Sequence, residues 1–575
     1  MGLPQLEEKP GPLTGGCASA QPGAAAGRKG AASAAAAGGW GTASAAAQSV
    51  ARLLRDPLPV PWEPLLAPDD VKRAEAYYGT GRALRHVAAK LLAGRPIKVY
   101  MLGGSVTAGM GRGTSKAYTE HFFDIINASF PHPHHDFSAK GIGGTGSGIY
   151  SACVASMVPA DVDIVVAEFT VNEQRADSFN APHRRGYEQL LRKLLKLRSY
   201  AEEEQSSSGS GDGRAGVGRD EGSPAGGKGS ALLPPPAIVV LHHYGWWISN
   251  NDDEFEPGNY YENNEAQLHT FSNYYDLPSV SIRNGLWPLM LAGLPGFRVD
   301  KVTAAKMANP AKRNPGLGWA PPGEASQFFY YDQVHPNHVG HRAMAEALAG
   351  PLRRALRDEL AAQAAPAAGG GGGSGGGSSR RRREQRLLGL PPPMLPNNGE
   401  TATMLCAMQE DFKDAIQQHS PGFEYAAERP EAPTFVEQKW GWRGLRPGEW
   451  AELEFNSRGG LQANDTTTVW LIHLRSYEHM GTARVECRQG CSCSPSRLDA
   501  IWKKRVSLNQ IHSFQVSQHE RCVVRVTINW PDKPGSWPFD GHKIQLTGVM
   551  VSFFPLTMGG LQTNVDKAAS FAAGD

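Results

Sequence analysis

At 575 residues the chain is too long for a single hydrophobic core, so two or more domains are expected. Hydrophobic residues at 40% and aromatics at 9% are enough to fill such cores, which excludes a wholly disordered polymer. A net charge of +2 gives no global attraction to nucleic acid or membrane, and no apolar run approaches the roughly 20 residues of a bilayer span, so neither a nucleic-acid partner nor a membrane span is expected.

Residues 1 to about 50 are rich in Ala, Gly and Ser and read as a disordered tail; a transit peptide is the competing reading, since acids are rare after Glu8. They lack a basic start followed by a compact apolar core, so no secretory signal is seen. Residues 60–360 read as one α/β domain. A helical pattern covers 68–95, with Asp69 or Asp70 as its cap. IKVYML (97–102) is a short apolar run ending in Gly-Gly-Ser, a buried strand entering a turn. Helical spacing returns at 117–130, a second buried strand at 162–169, a long amphipathic helix at 183–204, a third strand at 237–244 and a last helix at 337–356. Short apolar strands alternating with helices predict a mainly parallel sheet covered on both faces, a three-layer α/β/α domain. A Gly/Ser-rich insert at 205–230 interrupts it.

Residues 363–398, rich in Gly, Ser, Arg and Pro, read as a linker carrying the run Arg380–Arg383. From 400 to 560 the texture changes to β-rich runs separated by turn residues, without helices, which predicts an all-β sandwich or jelly roll. Trp440, Trp442, Trp530 and Trp537 lie in or beside its turn-like stretches, where they would either stack on a glycan or anchor the core. Four of the seven cysteines cluster here: Cys487, Cys491, Cys493 and Cys522. Two disulfides, with three possible connectivities, compete with zinc, for which C-x3-C-x-C is poor spacing. The clustered cysteines and the sequons at Asn127 and Asn464 favour the secretory route; the missing signal argues against it.

Four motifs carry chemistry. Gly103-Gly104-Ser105 puts a hydroxyl at the carboxyl end of a strand, where α/β folds place ligands, and the amides opening a following helix would face an oxyanion. Asp332-Gln333-Val334-His335 puts a carboxylate and an imidazole in one tight turn, as a general base with its orienting acid requires. Asn172, past the end of the second strand, is an amide donor suited to an oxyanion. Gly141-Ile142-Gly143-Gly144 is a flexible turn that can offer a further backbone amide. Singly, the first three have blander readings: a phosphate loop, a helix cap beside an exposed His, and a turn-forming Asn.

In this order and these contexts the four resemble the SGNH/GDSL family of serine hydrolases over roughly residues 95–360. Ser105 resembles the block I serine, Gly144 the block II glycine, Asn172 the block III asparagine, and Asp332 with His335 the block V pair. The resemblance implies a flavodoxin-like fold and a cofactor-free serine esterase: Ser105, Asp332 and His335 form the triad, and the Ser105 and Gly144 amides with the Asn172 side chain form the oxyanion hole. Gly104 replaces the family's Asp, Thr170 and Glu173 replace the residues flanking the block III Asn, and Ala139 replaces an Asn of block II. The expected partner is an ester, an acylated glycan among the candidates. Trp246, Trp247, Tyr260 and Tyr261 follow the third strand and would either stack on sugar rings or merely pack a loop. His242 and His243 read as cleft or core residues, without a third ligand for a metal. An O-acyltransferase using the same triad, and a non-catalytic glycan- or protein-binding protein, are the competing functions. The β-rich region resembles no family.

Overall fold

The computed structural model describes residues 56–173, 178–208, 234–247, 263–304, 317–364, 390–400, 403–431, 438–459, 465–501, 507–530 and 541–553. The expected N-terminal tail, most of the 205–230 insert, the Gly/Ser tract with Arg380–Arg383, and Tyr260, Tyr261, Asn464 and Trp537 lie outside them.

The first region is α/β. Its elements are α1 (Pro68–Ala74), β1 (Glu75–Tyr77), α2 (Arg82–Leu92), β2 (Lys98–Gly103), α3 (Tyr118–Ser129), β3 (Asp136–Gly141), α4 (Ser147–Met157), β4 (Ile164–Glu168), α5 (Pro182–Ser208), β5 (Ala237–His242), α6 (Glu265–Tyr274), β6 (Ser279–Ser281), α7 (Ile282–Leu291), the short pair β7 (Lys301–Val302) and β8 (Gly318–Trp319), and α8 (His338–Ala364). The sheet runs β1-β6-β5-β4-β2-β3 and is parallel except for β1 against β6. Side-chain alternation explains the two covered faces. Val99, Met101, Ile164, Val166, Val239 and Leu241 pack under α2, α3, α7 and α8. Leu102, Val165, Ala167, Ile238 and Val240 pack under α4, α5 and α6. The chain leaves β2 for β3 on one side and returns to β4 on the other, so β2 is the switch point where a crevice opens at the strands' carboxyl ends.

The single helix expected over 68–95 is instead α1, β1 and α2. Gly79 and Gly81, at φ +59° and +58°, take left-handed conformations that break it. Neither Asp69 nor Asp70 is the cap residue: Ala67 is, and Asp70 accepts the Ala67 amide at 3.2 Å.

The C-terminal region is antiparallel β. One sheet is β10 (Ile416–His419), β13 (Trp450–Phe455), β18 (Cys522–Ile528), β15 (Thr482–Gln489) and β16 (Ser496–Asp499). The other is β11 (Glu424–Ala427), β12 (Trp440–Gly444), β19 (Ile544–Ser552), β14 (Thr466–Arg475) and β17 (Leu508–Ser517), with β9 (Leu405–Met408) also on β19. Their inner faces share a core including Leu453, Val469, Leu471, Val485, Val524, Val549 and Val551. Two disulfides close its rim, Cys487–Cys493 and Cys491–Cys522. A third, Cys153–Cys406, joins α4 to β9 and was not foreseen in the sequence.

Of the expected linker, only 363–364 and 390–398 lie within the described residues. From residue 390 the chain lies on α5: Asn398 Nδ2 donates to Glu188 at 2.6 Å, Arg185 to Pro396 O at 2.9 Å, and Arg192 to Glu400 at 2.6 Å. Leu395, Met408, Trp470, Ile472 and Met550 belong to the same buried cluster as α4 and α5. The two regions therefore share an apolar layer, because the outer face of the β9/β19/β14 sheet needs a cover and the helices provide one.

Candidate active site

The turn after β2 carries Ser105. In the parallel ladder Gly103 pairs with Gly141 on one side and Glu168 on the other. A Cβ at Gly103 would lie 2.0 Å from Thr107 Oγ1 and 2.5 Å from Glu168 O, so no side chain fits there. No α-helix follows at once, contrary to expectation. Ser105 to Met110 form successive turns, with Ala108 N donating to Gly104 O and Met110 N to Ser105 O, both at 3.0 Å, and α3 begins only at Tyr118.

The turn before α8 carries the other two groups. Tyr331 N donates to His335 O at 2.8 Å and closes the loop. Asp332 Oδ1 accepts the Val334 and His335 amides, each at 2.8 Å, which leaves Oδ2 facing His335 Nδ1 at 2.7 Å. His335 Nε2 lies 2.6 Å from Ser105 Oγ. The turn is braced from behind. His243 Nε2 donates to Val334 O at 2.8 Å, and Gly111, at φ +91°, lets its backbone approach Pro336 O, which a Cβ would meet at 2.3 Å. Burial opposes charge on both partners, yet each ends up favouring its ion. The His335 charge and amides hold Asp332 below the ordinary carboxylate range, and Asp332, with Glu168 behind it, raises His335 above 6.5.

The remaining side of Ser105 is lined by two loops. Asn172 sits in a tight turn past β4, its amide donating to Phe169 O at 2.8 Å. Its side chain lies over Gly104, where a Cβ would come within 2.0 Å of Oδ1 and 2.8 Å of Nδ2. Gly104 thus makes room for the amide. The 142–146 loop passes beside Ser105: a Cβ on Gly143 would be 3.9 Å from Ser105 Cβ, and Gly144 is exposed at φ +67°. Glu173 holds this loop against the Asn172 turn by accepting Ser147 N at 2.8 Å, with buried Arg184 3.6 Å away.

Ser105, Asp332, His335, Asn172 and the Gly144 loop thus meet in one place. No protein-family model matches the sequence, and no curated protein sequence matches it. Among solved structures, the chain is similar to a two-domain esterase (CEX) active on acetylated mannans, at 17% identity and a TM-score of 0.46, covering 84% of this chain and 98% of that one. It is also similar to a possible lipase from Chitinophaga pinensis at 14% identity, TM-score 0.28, over 45% and 98% of the two chains. The carbohydrate-binding module CBM6cm-2 of Cellvibrio mixtus lichenase 5A matches at 11% identity, TM-score 0.17, over 26% and 97%.

Of the two readings of the aromatics, sugar stacking fails for the residues described. Trp246 and Trp247 are only 8% exposed and belong to the core, where Trp247 Nε1 donates to Val299 O at 2.9 Å and Trp246 N to the Tyr330 hydroxyl at 3.1 Å. Both rings lie within the buried core and cannot stack on a sugar. His242 is fully buried, 2.9 Å from Thr170 Oγ1, and burial pushes it down to about 3. In the sandwich Trp442 is buried and donates to Lys413 O at 3.1 Å, whereas Trp530 is exposed. Sequence reasoning passed over Glu168, Thr107 and Tyr118, a buried group beneath Ser105. Thr107 Oγ1 lies 3.2 Å from Glu168 Oε2 and 2.8 Å from Tyr118 OH. An acidic residue closing the apolar run VDIVVAEF was the available signal.

Proposed function

We propose that the protein is an SGNH-type serine hydrolase of ester bonds. One observation carries this reading: Ser105 Oγ, both nitrogens of His335 and Asp332 Oδ2 form an unbroken chain with steps of 2.6 and 2.7 Å at the carboxyl edge of the sheet. The Ser105 hydroxyl donates to neutral Nε2, and Nδ1–H donates to Asp332. Attack of Oγ on an acyl carbonyl passes the hydroxyl proton to Nε2, and the raised His335 pKa favours that acceptance. The oxyanion takes hydrogen bonds from the Ser105 and Gly144 amides and the Asn172 amide side chain. Collapse expels the alcohol, which leaves with the Nε2 proton. Water then attacks the acyl-enzyme, again through His335, and releases the acid. The substrate is an O-acyl ester, and acylated glycans, O-acetylated ones first, are the class to screen.

The test is labelling of the folded protein by a fluorophosphonate, mapped by mass spectrometry, together with turnover of short acyl esters. Ser105→Ala is expected to lose labelling and to lower turnover by several orders of magnitude at an unchanged thermal midpoint. A folded Ser105→Ala protein that keeps its activity would remove the mechanism. Transfer of the acyl group to an added glycan in place of water would make it an acyltransferase with the same centre.

A further inference from the structure

We infer that Gln409, supplied by the β-rich region, is a positioning residue for the Ser105 centre: it fixes the Gly141 carbonyl and so the Gly143–Gly144 segment that faces the substrate oxygen. This rests on the esterase reading above. Among the described residues β3 is the edge strand of the α/β sheet, so one side of it has no strand partner there. Its last residue, Gly141, is packed tightly against the turn after Ser105, where a Cβ would meet Ala108 N at 2.3 Å. On the open side Gln409 Nε2 donates to Gly141 O at 3.1 Å. The next residue is anchored on the inner side, with Ile142 N donating to Gly103 O at 3.0 Å. Gln409 is therefore an outer anchor at the start of the 142–146 loop, next to the Tyr150 hydroxyl, which donates to Lys140 O at 2.6 Å.

Gln409 is itself firmly placed. Its backbone takes the left-handed φ of +54°, unusual for a residue with a side chain, and Tyr425 OH donates to its carbonyl at 3.0 Å. The preceding strand β9 is paired to β19 from Leu405 to Met408, and Cys406 in it is disulfide-bonded to Cys153 of α4. Helix α4 begins at Ser147, directly after the loop. One short segment, 405–409, thus touches both flanks of the loop: through Gln409 at its entry and through the Cys406–Cys153 disulfide in the second half of the helix it runs into. A donor aimed at a developing oxyanion works only near its correct distance, so slack in this loop lowers the rate of the chemical step more than it lowers substrate binding.

The experiment uses the full chain with p-nitrophenyl acetate and a fluorophosphonate, and compares wild type with Gln409→Ala, the isosteric Gln409→Glu, and Gln409→Lys, which keeps a donor at similar reach. Gln409→Ala and Gln409→Glu are expected to lower kcat roughly tenfold, with KM and the thermal midpoint little changed. Labelling of Ser105 should slow in parallel, and Gln409→Lys should recover most of the loss. Should the alanine variant fold poorly, Gln409→Glu and Tyr425→Phe, which releases the Gln409 carbonyl, decide the matter on the same readouts. An active wild type with the Gln409→Ala and Gln409→Glu variants within twofold of it, or with changes in KM alone, overturns the inference and leaves the esterase reading standing. A wild type with neither turnover nor Ser105 labelling overturns the esterase reading itself.

Discussion

Glu168 ends a strand whose other side chains are apolar, and it is fully buried. Its Oε2 accepts from Thr107, and burial pushes its carboxyl up to about 7, the Thr107 bond and the His335 charge offsetting only part of that. The fold accommodates the neutral acid better than the carboxylate. Because the folded value lies above the ordinary 4.5, the stability this confers is present in full below pH 4.5 and is lost as pH rises through about 7. Glu168→Gln keeps the shape and removes the titration. Its thermal midpoint relative to wild type should therefore climb between pH 4.5 and pH 8, by the equivalent of roughly 1–3 kcal/mol. A difference that does not vary with pH would show that Glu168 is not held neutral. Near and above pH 7, where Glu168 ionises, its charge also raises His335, and the same substitution removes it. Wild-type kcat/KM should lose its base as pH falls through a value above 6.5, and Glu168→Gln should move that acid limb downward; a limb unmoved in the variant would mean that the two groups do not interact.

Two turns and two loops at one sheet edge make the site, and their legibility in the sequence was uneven for physical reasons. β2, β4 and β5 are covered on both faces, so they read as unbroken apolar runs, and the Ser105 and His335 turns follow from what precedes and follows them. β3 (DFSAKG) is an edge strand with half-exposed side chains, and carries no comparable pattern. Trp246 and Trp247 looked like a binding surface because nothing local distinguishes a ring buried in the core with Tyr330 and Val299 from one facing solvent. Gly104 looked like a defect in the family motif, and the geometry reverses that. Gly104→Asp, which restores the motif, puts a Cβ 2.0 Å from Asn172 Oδ1. The clash is with the far end of a side chain, so Asn172 rotates away and the fold survives. The expected result is a loss of about 10²–10³ in kcat, the usual effect of removing one oxyanion donor, with a thermal midpoint close to wild type. Asn172→Ala should cause a similar loss, and the double variant little more than either alone. Additive losses would mean that Gly104 matters for a reason other than admitting Asn172.

At the scale of the whole molecule, a tethered second module predicts that the α/β region survives alone. β14 and β19 argue otherwise. Along β14, Val469 and Leu471 face the core of the sandwich, while Trp470 and Ile472 face α4 and α5; every residue of β19 is buried. That two-sided burial was written in the runs VWLIHL and GVMVSFF, which do not alternate as a sheet with one wet face would. Leu395, Met408, Trp470, Ile472 and Met550 each contribute roughly 1.5–3 kcal/mol by leaving water. Their sum is comparable to the whole net stability of a typical domain, about 5–15 kcal/mol. Truncation after residue 365 also strips α5 of the Glu188–Asn398 and Arg192–Glu400 contacts and removes the partner of Cys153. The truncated chain should therefore be recovered mainly as aggregate, or as a species that binds a hydrophobic dye and has lost its cooperative melt. Small-ester turnover should fall with it, even though no group of the proposed triad is removed. Placing Ser or Asn at the exposed apolar positions of α4 and α5 should restore solubility before it restores rate, because Gln409 is still missing from the loop beside Ser105. A truncated protein that melts cooperatively and turns over soluble esters at the full-length rate would sink both the shared-core account and the role given to Gln409.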